Sequence, residues 1–372
     1  MKRLICLFAL IGSLQAFQIF TKKDSCMGQC TSEYFPNNAC QCNPECESHG
    51  NCCSDYENAC KSCQGRCGQG LNANYPCQCN QQCKDYNDCC NNYDQICNGG
   101  GGEVTDSDLL DISEKLFALA SQDFQVEFYL DFGGKINQGQ NQDMSPERLI
   151  YVDEAGLESY DSIRTFLPLM DNYDPDVKKA EDRTAEEQAE ENEFIESIMK
   201  TRILQETLDF LSSKNVVGNA DDFKLKLKEL WFELYDRDGT NNHVLDSSGF
   251  EHVFVGESKN NQVTGFHGWI NFYLQEIAGN LNYFGYLNKK DFGSNFYGVT
   301  NVFEWNGEMK PIGGGFLGTP PELDLALFTI CSLTRSEKDC HMAFEGQAFY
   351  IKAFASISNG HQNIGSAYPV FD

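Results

Sequence analysis

Ser247 to Glu276 reads SSGFEHVFVGESKNNQVTGFHGWINFYLQE, and across it the character of the chain changes. In its second half Ile270 and Leu274, continued by Ile277, recur at helical spacing, so His267 falls at or just before a helix N-terminus. In its first half, Gly249 to Glu257, apolar residues alternate as in a strand. A period of two puts His252 with Phe250 and Phe254 on one face and Glu251 with Val253 and Val255 on the other. Upstream the pattern is helical. Thr105-Asp106-Ser107-Asp108 offers N-caps before Leu109, Ile112, Leu116 and Leu119. An acidic run over 180–193, read as a solvated helix face or loop, precedes Phe194, Ile195, Ile198, Met199, Ile203 and Leu204 at helical spacing. Phe223, Leu227, Trp231 and Leu234 mark one face of another helix. Downstream of about residue 240, alternation, turn signals and aromatics take over. Asn306-Gly307 between FEW and EMK is a two-residue hairpin signal, and it pairs Lys310 with Phe303. Thr319-Pro320-Pro321-Glu322 reads as a capping box opening a helix through Leu323, Ala326, Leu327 and Ile330. Helices first and strands later, with few crossovers, define an α+β class: a helical N-terminal lobe followed by β-rich lobes.

The whole chain of 372 residues is long enough for two or three folded units. Its 41% hydrophobic and 12% aromatic content supports a buried core and excludes wholesale disorder, coiled coil and collagen. With 55 acids against 28 bases the net charge is −27, which excludes a protein that coats nucleic acid through many cationic contacts.

Nineteen cysteines point to an oxidising compartment. Lys2 and Arg3, the apolar run Leu4 to Leu14 and Ala16 have the layout of a secretory signal peptide over residues 1–16. No later run is long and apolar enough to predict a membrane span or a lipid anchor. Removal of that segment takes Cys6 with it and leaves an even set of 18, as full pairing requires. Sixteen of these form two series. The first is Cys26, Cys30, Cys40, Cys42, Cys46, Cys52, Cys53 and Cys60; the second is Cys63, Cys67, Cys77, Cys79, Cys83, Cys89, Cys90 and Cys97. Both step by 4, 10, 2, 4, 6, 1 and 7, an internal repeat of 37 residues. Each unit has few aliphatic residues, so disulfides at ~2–4 kcal/mol apiece must supply the stability a core would give. Zinc is the rival use of the thiols, but His49 is the only histidine near them and the compartment is oxidising. Eight cysteines allow on the order of a hundred pairings. Gly99 to Gly102 then form a flexible linker, and Cys331 and Cys340 are expected to pair with each other.

CQCNPECESHGNCCSDYENAC and CQCNQQCKDYNDCCNNYDQIC resemble the somatomedin B domain. The resemblance implies small protein-binding knots with first-to-fourth, second-to-eighth, third-to-seventh and fifth-to-sixth pairing in each. Asn91 and Asn92 stand where the first unit has Ser54 and Asp55. The organisation expected is a signal peptide at 1–16, somatomedin B-like units at 22–61 and 62–98, a glycine-rich linker at 99–103 and a large domain at 104–372.

The histidines are His49, His243, His252, His267, His341 and His361. A helix N-terminus disfavours imidazolium, and a general base must be neutral, so His267 is preferred over His252 as base. Glu251 is placed in a supporting or metal-facing role. Two histidines and a lysine are the parts needed to cleave RNA by its own 2′-hydroxyl, one candidate chemistry among several: a base for that proton, an acid for the departing 5′-oxygen and a cation for the phosphorane.

SSGFEHVFVGE, VTGFHGWINFYLQE, MKPIGGGFLGTPPELDLALFTICSL and IGSAYPVF, spread over 105–372, resemble the EndoU family of uridylate-specific endoribonucleases. Paired somatomedin B units ahead of such a domain resemble its secreted, placental-protein-like members. The resemblance implies a catalytic triad at His252, His267 and Lys310, uridine recognition at Ser366 and Tyr368, and 2′,3′-cyclic phosphate products. It also implies manganese as cofactor, with calcium as the other ion, and Glu251 and Glu257 are the nearest acidic candidates. Asp236-Arg237-Asp238-Gly239 has the look of a calcium loop, but its glycine comes two positions early for an EF-hand. Residues 229–372 carry 17 acids and 8 bases, so a short footprint on single-stranded uridine-containing RNA is expected, with a shallow salt dependence. The remaining expectations are protein partners through the cysteine modules, no DNA substrate, a monomer, and secretion. The competing reading is a non-enzymatic extracellular adaptor working through the somatomedin B-like pair.

Overall fold

The computed structural model describes residues 26, 30–31, 33–63, 66–93, 97, 103–140, 142–237, 244–358 and 361–371. The expected signal peptide, Gly99 to Gly102 of the linker, and Asp238-Gly239 lie outside the described residues. Contacts divide the chain into two compact units, Met1–Gly100 and Gly101–Asp372.

In the first unit the same knot is built twice. Cys26–Cys42, Cys30–Cys60, Cys40–Cys53 and Cys46–Cys52 recur as Cys63–Cys79, Cys67–Cys97, Cys77–Cys90 and Cys83–Cys89. Each core is little more than half-cystines around one buried tyrosine, Tyr56 or Tyr93. A buried glutamine takes over backbone pairing in each knot. Gln41 Nε2 donates to Phe35 O at 2.7 Å, and Gln78 Nε2 donates to Asn72 O at 3.0 Å. Asn92 repeats the work of Asp55: the amide of Cys26 donates to Asp55, and that of Cys63 to Asn92, each at 2.9 Å.

The second unit opens with helices whose starts are fixed by side chains. Thr105 and Asp108 form a capping box on Asp106–Asp123, Thr184 and Glu187 on Ala185–Ile198, and Asn219 and Asp222 on Ala220–Phe232. Thr201 caps Arg202–Ser213. Leu234 lies past the end of the helix it was assigned to. The helix Pro321–Thr334 departs further from expectation: Pro320 is its N-cap and no side chain caps it. Glu322 is therefore at the second helical position, one short of where a capping box needs it.

Among the described residues there are three sheets, the first of them set along the chain between the Asp106–Asp123 and Ala185–Ile198 helices. β1 (Phe128–Leu130) pairs with β2 (Ile150–Val152). β3 (Glu257–Lys259), β4 (Gln262–Thr264), β5 (Leu281–Gly293), β6 (Phe296–Trp305) and β7 (Glu308–Leu317) form a five-stranded sheet in the order β3-β4-β7-β6-β5. β8 (Asp339–Phe344), β9 (Gln347–Ser358) and β10 (His361–Val370) form an antiparallel three-stranded sheet in the order β10-β9-β8. The hairpin at Asn306-Gly307 is present and Phe303 faces Lys310 across it. Between the helices and the sheets lies one aromatic core. Phe117 alone packs five rings within 6.1 Å, from Phe292, Phe296, Phe316, Phe344 and Phe349. The disulfide Cys331–Cys340 ties the Pro321–Thr334 helix to β8.

The strand expected over Gly249–Glu257 is corrected. Glu251–Val255 is a wide helical turn in which the amide of Gly256 donates to Glu251 O at 2.8 Å, an i→i+5 bond. All five residues of the turn are buried, so apolar alternation here reflects burial on every side and not a two-faced strand.

Candidate active site

The helical turn and the loop after β4 are joined through their backbones. The amide of Phe266 donates to His252 O at 2.9 Å, and the amide of His267 donates to Val253 O at 2.6 Å. Two residues with positive φ bring the chain round: Gly265 at +63° and Phe266 at +62°. At Gly265 a Cβ would stand 1.8 Å from the carbonyl oxygen of His252, so only glycine serves. Phe266 holds a conformation that costs ~1–3 kcal/mol, and its ring is locked against Phe303 at 5.3 Å and Trp305 at 4.9 Å.

Both imidazoles are oriented from behind. His267 Nδ1 lies 2.7 Å from Gly314 O on β7. A carbonyl only accepts, so Nδ1 carries the proton and Nε2 keeps a lone pair. His267 stands two residues before the helix Trp269–Ala278, which has no side-chain N-cap. His252 Nδ1 lies 2.6 Å from Glu257 Oε2, where β3 begins. Glu257 is fully buried and is held by three further partners: Ser247 Oγ, Thr264 Oγ1 at 3.5 Å and Arg237 Nε at 3.1 Å. Burial pushes the Glu257 carboxyl up, but His252, Arg237 and Ser247 together pull it below its ordinary range.

Lys310 projects from β7 beside Gly313. Burial brings its pKa down to about 8, against an upward pull from Glu257. Its charge reaches both histidines. Burial, then the Arg237 cation, take His252 down to about 4, with Lys310 adding to the depression and Glu257 opposing it. Burial, then Lys310, hold His267 well below the usual imidazole range. The expected triad is therefore brought together, with two neutral imidazoles around one ammonium. His252 is buried, while His267 and Lys310 are partly open.

The C-terminal strand β10 packs against His267. The ring of Tyr368 stacks on His267 at 5.0 Å and 24°, and Phe354 lies 6.3 Å further on. Ser366 sits directly after a break in the β9–β10 register and pairs with Phe354. Glu251, expected in a supporting or metal-facing role, is enclosed near Glu257 and Glu181. It is fully buried, its carboxyl oxygens find no hydrogen-bond partner, and burial, then Glu257 and Glu181, push its pKa well above the carboxylate range.

Among the described residues around His252, His267 and Lys310, the donor set does not fit a protein-held manganese or calcium ion. Among the described residues, the only groups of three metal-ligating atoms within reach of one another are cysteines already in disulfides. The free edge of Glu257 is taken by Arg237 and Ser247.

Sequence reasoning did not find Arg237, Ser247 or Gly314 as part of this cluster. Ser247 lies within the SSGFEH segment, but nothing in its spacing points it at Glu257. Gly314 acts through a backbone carbonyl that only strand register places.

Residues 108–369 match the family model described as endoribonuclease XendoU, and residues 24–62 and 61–100 each match the somatomedin B domain. The chain belongs to the XendoU family of endoribonucleases. A uridylate-specific endoribonuclease of Paralichthys olivaceus is 39% identical, the match covering 99% of both chains. The human uridylate-specific endoribonuclease is 31% identical over 95% of this chain and 80% of its own length. The solved structure titled "The structure of XendoU: a splicing independent snoRNA processing endoribonuclease" superposes with a TM-score of 0.59 at 33% identity, covering 70% of this chain and 96% of that one. Among the described residues, no helix is long and apolar enough to cross a membrane.

Proposed function

We propose that the protein is a secreted endoribonuclease that cleaves single-stranded RNA at uridylates, using the substrate's own 2′-hydroxyl and leaving a 2′,3′-cyclic phosphate. His267 Nε2 takes the 2′-OH proton. The freed oxygen attacks phosphorus, the bond from phosphorus to the 5′-oxygen breaks, and His252 Nε2 returns a proton to that oxygen. Lys310 balances the negative charge that builds on the phosphorane. The observation carrying this reading is the bond of His267 Nδ1 to Gly314 O, which leaves Nε2 as a base beside the Lys310 ammonium. A phosphodiester seated against Lys310 offsets the cation that depresses both imidazoles, so His252, backed by Glu257, gains a proton when substrate binds. Ser366 hydrogen-bonds the uracil edge and Tyr368 stacks on the base, worth ~1–3 kcal/mol.

In this reading residues 104–372 carry the catalysis of a monomer. The modules at 22–61 and 62–98, beyond the 1–16 leader, bind protein partners, as the exposed Tyr34, Phe35 and Leu71 would allow. Manganese or calcium acts on the RNA or by screening this acidic protein. The test is an oligo-uridine probe with EDTA and with added manganese or calcium. The wild type should release cyclic phosphate ends and His267→Ala should not. Equal cleavage by His267→Ala would remove the assignment.

A further inference from the structure

The Asp236-Arg237 segment, which the sequence offers as a possible cation loop, has its arginine turned inward. Arg237 Nε lies 3.1 Å from Glu257 Oε1 and 2.9 Å from Ser247 Oγ. Its Nη2 donates to Gly365 O at 2.6 Å and to the hydroxyl of Tyr235. Tyr235 in turn donates to Ile364 O at 3.0 Å, and its ring lies 5.1 Å from the guanidinium carbon. Ile364 and Gly365 are the residues at which β10 slips register against β9, immediately before Ser366. A slip in register frees local carbonyls and re-aims the next side chain, so it must be held from outside the ladder. Here Tyr235 holds Ile364 O and Arg237 Nη2 holds Gly365 O, while Arg237 Nε lies on the carboxylate behind His252.

Taking the ribonuclease reading as given, we propose that Arg237 is a positioning residue that couples base recognition to catalysis. One guanidinium fixes both Glu257, which orients His252, and the bulge of β10, which presents Ser366 and Tyr368. A lysine offers a point charge in place of a fork and does not span both partners.

The test is kcat and KM for matched oligonucleotides with uridine or cytidine at the cleaved position, with thermal melting of each variant. Arg237→Gln should lower kcat about 10–100-fold, as loss of a supporting partner typically does, and bring the uridine-to-cytidine ratio of kcat/KM toward one. Arg237→Lys should recover much of kcat and little of the ratio. Glu257→Gln should lower kcat and leave the ratio, whereas Ser366→Ala should lower the ratio, chiefly by raising KM for the uridine probe. Should Arg237→Gln fail to fold, Arg237→Lys and Tyr235→Phe carry the test, since each disturbs the hold on β10 and should still lower the ratio. A wild-type ratio in folded Arg237→Gln, or in both substitutes, overturns the assignment alone. A wild type that cleaves neither probe overturns the ribonuclease reading and this assignment with it.

Discussion

The most exposing prediction concerns the alkaline limb of activity. Burial lowers the Lys310 ammonium to about 8, from the 10.5 of an ordinary lysine. The cation is needed on the phosphorane, so kcat/KM should fall as it is lost. At pH 9 only about a tenth of a group with pKa near 8 keeps its proton, against nearly all of one near 10.5. Loss of this proton alone should therefore lower wild-type kcat/KM on a short uridine probe about tenfold between pH 7 and pH 9, on top of any change from the histidines. Lys310→Arg replaces the ammonium with a cation that does not deprotonate in this range. That variant should be slower throughout, because the guanidinium is larger and planar, but without the added fall that sets in near pH 8. Initial rates at low substrate give the ratio directly. An alkaline limb at the same pH in Lys310→Arg would refute the assignment, since the titrating group would then be another.

Further outcomes follow from the same contacts. Gly265→Ala drives a methyl into the carbonyl of His252, so kcat should fall at least about tenfold while melting temperature drops modestly, by activity and calorimetry on one preparation. Phe117→Ala removes a fully buried ring from a five-ring contact and should cost ~3–5 kcal/mol in denaturant titration. Asp324 is buried and raised to about 8, so the folded state holds a proton that the unfolded chain releases near pH 4. Stability should therefore fall as pH rises from about 4 to 8, and Asp324→Asn should flatten that slope. Raising salt should weaken binding of a non-cleavable uridine probe only slightly, read as a low slope of log affinity against log salt.

Much of the site was legible because its residues are carried by local patterns. The helix after His267 follows from Ile270 and Leu274, and the pairing of Lys310 with Phe303 follows from Asn306-Gly307. What was hidden is what burial and register decide. The His252 segment resembles a strand only because Phe250, Val253, Phe254 and Val255 are enclosed on all sides, where polarity no longer marks a face. The Pro321–Thr334 helix starts one residue later than its two consecutive prolines suggest, with a buried first turn. Arg237, distant in sequence from both Glu257 and Gly365, reaches them only through tertiary structure.

One substitution in the substrate probes the whole mechanism. An oligo-uridine and its twin, lacking a single 2′-hydroxyl at the cleaved nucleotide, differ only in the attacking group. Cutting of the first, with a cyclic phosphate left behind, and survival of the second at that position is the result expected. Equal cutting of both would mean that water attacks instead, and that His267 does not serve as the base described.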